Sequence, residues 1–192
     1  MRKMNFKDIF IPTISLFIIC IVITSALAFT NALTKDTIAQ NDLNARNESM
    51  KIVCPEGDTF ELKAESEDGE IYEALDKNGD VTGYAVSTSA SGYGGQIKVM
   101  TGISVDSKVI AIDVFYNDDE TPGLGKNTSN ESFTSQFADL LTTDKIVVSK
   151  DYAGEGQQVD AVTSSTISSR AVTDAVNKAC EFYNNEITGG ES

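Results

Sequence analysis

Five hydroxyl residues stand close together in the stretch Asp160–Ala171, where an extended segment is expected to become the last helix of the chain. They are Thr163, Ser164, Ser165, Thr166 and Ser168. Hydroxyl oxygens can accept hydrogen bonds from the free N–H groups of a helix N-terminus, so the cluster indicates a helix start. The same first turn carries the positive end of the helix dipole and stabilises an anion, above all a phosphate. The residue types alone leave open whether the cluster caps a helix or binds a phosphate.

The residues after the cluster predict the helix that would position it. From Ile167 onward, apolar side chains recur three to four positions apart, which is the period of a helix with one buried face. They are Ala171, Val172, Ala175, Val176, Ala179 and Tyr183.

A second candidate site is the short run Glu120-Thr-Pro-Gly-Leu-Gly125. Pro122 and Gly123 predict a tight turn, and Gly125 would let another group approach the backbone closely. Without context, a plain connection between a strand and a helix explains the run equally well.

The composition excludes several kinds of chemistry. The chain has 192 residues, no His and a net charge of −14. Without His there is no Ser-His-Asp triad, no Cys-His pair and no His-ligated haem. The acidic balance argues against nucleic acid as a partner, because phosphate contacts need clustered Lys and Arg.

Three cysteines, Cys20, Cys54 and Cys180, stand far apart in the chain. Their spacing argues against a structural zinc site or an iron–sulfur cluster, and we expect no metal site. Cys54 and Cys180 could form a disulfide outside the cytoplasm, which sequence alone does not decide. Two buried thiols are the simpler interpretation.

The N-terminal region predicts a membrane anchor. Residues 9–34 contain no charge, and as a helix they would be about 39 Å long, enough to cross a bilayer. Arg2, Lys3 and Lys7 precede this run, so the N-terminus is expected in the cytoplasm and the rest outside. A cleaved signal peptide is the alternative, because Ala26-Leu27-Ala28 fits a cleavage site, but the apolar run is long for one.

The remaining patterns predict an α+β domain with a mostly antiparallel sheet and flanking helices. Strands are predicted at 59–63, 71–75, 81–88, 96–103, 108–116 and 145–149, with a flexible loop over 87–95 and a helix over 131–141. The predicted organisation is a cytoplasmic N-terminus (1–8), a transmembrane helix (9–34), a helical stalk ended by Pro55 and Gly57 (35–54), an extracytoplasmic domain (55–187) and a flexible tail (188–192).

Four landmarks in order resemble one family. The run Asp160-x-x-Thr163-Ser164-Ser165-Thr166 resembles the flavinylation motif Asp-x-x-Ser/Thr-Gly-Ala-Thr of FMN-binding domains, with Ser164 and Ser165 in place of Gly and Ala. The run Glu120–Gly125 resembles a signature of the same proteins, as do Gly92–Ile97 and Val99–Ile103. With the N-terminal helix, the whole chain resembles the RnfG family of the Rnf electron-transport complex, a relative of the NqrC proteins of the sodium-pumping NADH:quinone reductase.

The resemblance implies a role and a site. A protein of this family carries electrons through one covalently bound FMN, in a membrane complex that couples electron transfer between ferredoxin and NAD to transport of sodium ions or protons. Thr166 would form the phosphoester, and Thr163, Ser164, Ser165 and Ser168 would surround the phosphate. The flavin ring would lie against Glu120, Thr121, Gly123, Leu124 and Gly125, with Tyr93–Gly95 nearby.

The resemblance also implies partners. These are the other subunits of the Rnf complex and, during maturation, a magnesium-dependent flavin transferase that uses FAD outside the cytoplasm. No catalytic acid or base is expected of the chain itself, because the redox chemistry belongs to the cofactor. Two other interpretations stay open: an anchored module without redox activity, in which Thr166 only caps a helix, and an anchored FMN reductase that acts alone.

Overall fold

The computed structural model of the chain describes residues 6–67, 69–151 and 156–189. The chain divides into two units, Met1–Asn44 and Ala45–Ser192. Of the predicted terminal segments, residues 1–5 and 190–192 lie outside the described residues.

The first unit belongs to one long helix, α1 (Phe6–Val53). Within the described residues, Phe10–Val53 is long and apolar enough to cross a membrane, and the side chains of its most apolar stretch are not buried in protein. The helix runs without a break through the predicted border between membrane span and stalk. It ends just before Pro55, as the sequence predicts.

The second unit is built on a five-stranded antiparallel sheet in which every strand pairs with its neighbours in sequence. The strands are β1 (Thr59–Ser66), β2 (Gly69–Leu75), β3 (Val81–Ser91), β4 (Gln96–Ser104) and β5 (Val109–Tyr116). Smaller elements follow: 3-10 helices at Gly125–Ser129, Ser135–Phe137 and Ser149–Asp151, α2 (Glu131–Thr134), β6 (Ile146–Val148), β7 (Gln157–Val159) and the last helix, α3 (Thr166–Glu186). The mostly antiparallel α+β architecture is therefore confirmed.

Helices cover both faces of the sheet. Successive side chains of a strand point to opposite faces, and β4 shows the consequence. Val99 packs in one cluster with Val172 and Val176 of α3. Its neighbour Met100 packs in another cluster with Met50 and Val53 from the end of α1. Full burial of each such side chain contributes about 1.5–3 kcal/mol, so this three-layer packing fixes the start of α3 relative to the sheet.

A polar contact also joins α3 to the sheet. The buried Thr88 hydroxyl on β3 donates a hydrogen bond of 2.8 Å to the carbonyl oxygen of Ala175. Because a buried hydroxyl without a partner costs free energy, this bond favours one position of the helix along the strand.

Three local predictions were wrong in extent. The helix predicted over 131–141 ends by Phe137, because Asp139 has a left-handed φ of 63° that no helix continues through. The loop predicted over 87–95 is strand as far as Ser91, since β3 keeps its partner β4 over that length. The short strand β7 was not predicted, and it pairs in parallel with β6.

Cys54 and Cys180 are buried free thiols, so the two-thiol interpretation is confirmed. Burial raises the pKa of each thiol to about 12. Both therefore stay protonated at neutral pH, where the thiol form is a poor nucleophile.

Candidate functional site

A cavity of about 520 Å³ opens at the N-terminus of α3. It lies between the turn after β5, the loop that joins β3 to β4, and the first turn of α3. Its lining residues are Tyr93, Glu120, Thr121, Leu124, Gly125, Ser164, Ser165, Thr166, Ile167 and Ser168. The volume falls within the range of about 300–1,000 Å³ that is common for small-molecule and cofactor sites.

Eight of the ten residues predicted from the sequence meet in this cavity. The other two, Thr163 and Gly123, line a neighbouring groove, which Leu124 and Ser164 separate from the cavity by lining both. The structure thus brings the hydroxyl cluster and the run Glu120–Gly125 together across about 40 residues of sequence, but it does not bring Thr163 to Thr166.

Thr166 is the first residue of α3 and is half-buried at the edge of the cavity. Its hydroxyl oxygen accepts a hydrogen bond of 3.2 Å from the ammonium group of Lys150. Lys150 belongs to the 3-10 helix Ser149–Asp151 and was not among the residues predicted from the sequence. It lies outside both motifs, so the sparseness of cations is the one signal that could have drawn attention to it.

The start of α3 is held by Ser169 rather than by its N-cap residue. The Ser169 hydroxyl donates to the carbonyl oxygen of Ser165 and accepts a hydrogen bond from the Val162 N–H. Ser165, the N-cap residue, makes no side-chain cap. The prediction that the cluster starts a helix is confirmed, whereas capping by the N-cap hydroxyl is wrong.

Two residues of the cluster have unusual environments. Ser164 has a φ of 61°, in the left-handed region where glycine is normally found. Ser165 is only 6% exposed, and its hydroxyl has no hydrogen-bond partner among the described residues. A buried hydroxyl without a partner costs about 1–3 kcal/mol, so the cavity contains a polar group that a ligand could satisfy.

Glu120 joins the three walls of the cavity. This carboxylate is 2% exposed, and one of its oxygens accepts hydrogen bonds from the N–H groups of Tyr93 (2.7 Å) and Gly94 (3.1 Å). Its other oxygen accepts a bond of 2.8 Å from the Ser168 hydroxyl. The carboxylate therefore ties the β3–β4 loop and the first turn of α3 to the turn after β5.

The glycines around Glu120 leave room for its carboxylate. A Cβ atom on Gly125 would lie 1.9 Å from one Glu120 oxygen, and a Cβ on Gly92 would lie 2.2 Å from the other. The prediction that Gly125 allows a close approach is thus confirmed, and the approaching group is the carboxylate of Glu120.

Three apolar side chains at the cavity are exposed. Tyr93 is 71%, Leu124 is 42% and Ile167 is 52% exposed. An apolar edge next to a helix N-terminus and a lysine ammonium suits a ligand with a flat apolar ring at one end and a phosphate at the other. The residues present thus fit FMN, with the phosphate end at Lys150 and Ser165.

Comparisons with known proteins agree with this fit. The family model of the FMN-binding domain matches residues 92–181, which include both motifs, so the fold and the site define an FMN-binding domain. The model of the RnfG N-terminal region matches residues 3–53, which include most of α1.

Similar proteins span almost the whole chain. The G subunit of the Na⁺-translocating ferredoxin:NAD⁺ oxidoreductase complex of Acetobacterium woodii is 35% identical and covers 95% of each chain. The G subunit of the proton-translocating complex of Clostridium ljungdahlii is 32% identical and covers 96% of each chain. The chain belongs to the RnfG family of ion-translocating oxidoreductase complexes.

A solved structure supports the fold. The C subunit of the Na⁺-translocating NADH-quinone reductase from Parabacteroides distasonis superposes with a TM-score of 0.54 at 19% identity, over 64% of each chain. At this identity the likeness concerns the fold alone.

Proposed function

We propose that the chain is an electron-carrying subunit of a membrane complex that couples electron transfer between ferredoxin and NAD to ion transport, and that Thr166 carries its FMN through a phosphoester bond. The relatives support the first part, because their names assign them to such complexes. One relative is named for sodium ions and another for protons, so the proposal covers ion transport without choosing the ion.

The observation that carries the proposal is the position of the Thr166 hydroxyl. It stands at the N-terminus of α3, at the edge of the cavity and 3.2 Å from the Lys150 ammonium. A phosphate attached there would meet the positive end of the helix dipole and a cation together. Of the hydroxyl residues in the cluster, Ser168 and Ser169 are engaged in hydrogen bonds within the protein, and Thr163 lies in the neighbouring groove.

The attachment reaction balances with FAD as the donor. The Thr166 oxygen forms a bond to the phosphorus on the flavin side of FAD, the phosphoanhydride bond breaks, and AMP leaves. The hydroxyl proton passes to a base of the flavin transferase, so Thr–OH and FAD give Thr–O–FMN, AMP and one proton. The chain supplies the nucleophile, and the transferase with its magnesium supplies the activation.

When bound, FMN supplies the transfer of electrons, and the residues of this chain hold and shield it. Leu124 and Tyr93 provide the apolar surface for a flat ring, while the turn held by Glu120 keeps that surface in place. A side chain that moves protons is not required for this role, which agrees with a chain that has no His.

The proposal includes a place for the domain. The apolar helix would anchor the chain in the cell membrane with its N-terminus in the cytoplasm, and the FMN-binding domain would lie outside, where the transferase acts. Other subunits of the complex would cover part of the domain, because electrons pass only between cofactors that lie close together.

Intact mass spectrometry of the chain produced with and without the transferase tests the attachment. Wild-type protein is expected to gain the mass of FMN less one water only with the transferase, and Thr166→Ala is expected to gain nothing. Thr163→Ala is the matched control, because Thr163 lines the neighbouring groove and should keep the full gain. A gain that persists in Thr166→Ala would move the bond to another hydroxyl, and a chain without flavin would favour a module without redox activity.

A further inference from the structure

We infer that Lys150 and Ser165 form a phosphate clamp, a pair of positioning residues that orient the Thr166 hydroxyl before flavin attachment and hold the phosphodiester afterwards. This inference rests on the proposed function, and it assigns a role to two side chains that neither the motif nor the comparisons assign. Two independent observations carry it, one for each residue.

The first observation is the contact between Lys150 and Thr166. The ammonium group can only donate hydrogen bonds, so in the 3.2 Å contact the Thr166 oxygen is the acceptor. This arrangement points the hydroxyl proton away from Lys150 and leaves it accessible to an external base. A positive charge beside the oxygen also stabilises the negative charge that develops there as the proton leaves.

Lys150 stands among few positive charges. From Ile9 onward the chain has 12 basic and 28 acidic residues, a net charge of −16. An anionic substrate such as FAD is therefore repelled by the domain as a whole, and a cation at the point of attachment offsets that repulsion locally. Another nearby cation, Lys126, forms an ion pair of 3.2 Å with Asp118.

The second observation is the buried hydroxyl of Ser165. This residue is 6% exposed and lines the cavity beside Thr166, and its oxygen has no hydrogen-bond partner among the described residues. The flavinylation motif has Ala at this position, so the hydroxyl is an addition of this chain. In the unloaded protein it is an unsatisfied donor, whereas a phosphodiester on the adjacent residue offers it an acceptor.

The two residues act at different stages. Lys150 acts before the reaction on the Thr166 oxygen, and it acts afterwards on the single negative charge that the phosphodiester keeps. Ser165 acts only afterwards, because the unloaded cavity gives its hydroxyl no partner among the described residues. A clamp of this kind predicts that Lys150 controls the rate of loading and that Ser165 controls the stability gained on loading.

The rate of loading tests Lys150. Full-length apo protein in detergent is mixed with the transferase, FAD and Mg²⁺, and intact mass follows the modified fraction over time. Charge-assisted hydrogen bonds correspond to roughly tenfold or greater effects, so Lys150→Ala should load at least ~10-fold more slowly than wild type. Lys150→Arg should recover most of that rate, because it restores the positive charge. Lys126→Ala is the matched control and should load at the wild-type rate.

The outcomes separate this inference from the proposed function. Wild-type protein that never loads at Thr166 contradicts the proposed function. Wild-type loading with an unchanged rate in Lys150→Ala overturns the role of Lys150 and leaves the proposed function intact. Equal losses in Lys150→Ala and Lys150→Arg overturn the electrostatic role, because the shape of the lysine rather than its charge would then matter.

Thermal unfolding of the unloaded and loaded forms tests Ser165. Ser165→Ala removes an unsatisfied hydroxyl, so the unloaded variant should have a Tm equal to or above that of wild type. The rise in Tm on loading should be smaller in the variant by roughly 2–4 °C, as expected for the loss of one hydrogen bond in a chain of this size. An equal rise in both proteins, or a lower Tm in the unloaded variant, would give Ser165 a purely structural role and overturn its place in the clamp.

Discussion

Glu120 shows how a single side chain can organise a site without touching the reaction. Its carboxylate accepts hydrogen bonds from Tyr93, Gly94 and Ser168, which belong to a loop and a helix that are distant in sequence. Buried carboxylates persist in proteins when such donors satisfy them. Its position in the motif thus has a structural explanation, because the cavity walls meet at this group.

Replacement of Glu120 should destabilise the domain. Glu120→Ala leaves three donors without their acceptor, so we expect the free energy of unfolding to fall by about 2–4 kcal/mol. Glu120→Gln keeps the size and one acceptor oxygen and should lose about 1 kcal/mol. Urea unfolding of the full-length chain measures both values. The exposed Glu61→Ala is the control and should change stability by less than about 0.5 kcal/mol, while a neutral Glu120→Ala would contradict this role.

The backbone at Ser164 gives a prediction of opposite sign. Its φ of 61° lies in the left-handed region, which costs a residue with a Cβ atom about 1 kcal/mol, and its side chain is exposed. Ser164→Gly removes this strain but increases the freedom of the unfolded chain, so a net gain of about 0.5 kcal/mol is expected.

The same unfolding measurement checks Ser164→Gly against a strand position. Ser87→Gly in β3 should lose about 0.5–1 kcal/mol, because glycine weakens a strand and no left-handed φ is relieved there. If Ser164→Gly were destabilising as well, the exposed hydroxyl of Ser164 would have a structural partner in solution.

At this scale the motifs predicted residue types well and contacts poorly. Thr166, Ser168 and Glu120 do meet in one cavity, because each belongs to a contiguous motif. The partner of Glu120 is the protein itself rather than a ligand, and this depends on loops that come together only in the fold. Lys150 escaped prediction for the same reason, since a contact between a lysine and a threonine 16 residues apart leaves no periodic trace.

Among the elements, the end of α1 has a role in the fold of the second unit. Met50, Val53 and Cys54 are buried against the sheet, so these last turns are part of the domain core. Arg46 adds a polar contact: its guanidinium pairs with Glu70 and lies 5.6 Å from the centre of the Tyr72 ring.

Tyr72 completes this polar contact. Its hydroxyl donates a hydrogen bond to the same Glu70 oxygen that Arg46 contacts. Burial and this bond to Glu70 raise the pKa of Tyr72 to about 12, so the hydroxyl keeps its proton at neutral pH. Glu70 therefore holds the helix and strand β2 together through two donors.

A double-mutant cycle measures the contact between α1 and β2. Arg46→Ala should cost about 1–2 kcal/mol, because it removes both the ion pair and the packing on Tyr72. Glu70→Ala and the double variant complete the cycle, and a coupling energy of about 0.5–1.5 kcal/mol is expected for a half-buried pair. The exposed pair Lys63 and Glu73 provides the control cycle and should couple more weakly.

The elements that sequence predicted correctly are those with a clear period. The hairpin of β4 and β5 and the helix α3 were predicted because apolar residues alternate or recur along them. The helix predicted over 131–141 follows the same period but ends early at Asp139, whose amide N–H bonds to the carbonyl of Val109 on β5. A tertiary contact thus overrides the local pattern, and sequence carries no sign of it.

The whole chain combines an apolar anchor with an acidic domain. Positive residues precede the anchor, and the rest of the chain has a net charge of −16. By the positive-inside tendency, the domain that contains Glu61 should lie outside and Asn5 in the cytoplasm. Labelling with a membrane-impermeant maleimide tests this orientation in a variant that lacks Cys20. Glu61→Cys should label in intact cells, whereas Asn5→Cys should label only after lysis.

The remaining thiols should not disturb this measurement. Cys54 and Cys180 are buried, and their pKa values of about 12 keep them in the unreactive thiol form at the neutral pH of labelling. The protein without the added cysteines is the control and should stay unlabelled. Replacing Arg2, Lys3 and Lys7 by Glu should lower the fraction of chains in which Glu61→Cys labels from outside, because the positive charges that keep the N-terminus in the cytoplasm are gone. Labelling of Asn5→Cys in intact cells would reverse the orientation, and it would place Thr166 on the side of the membrane away from the proposed transferase.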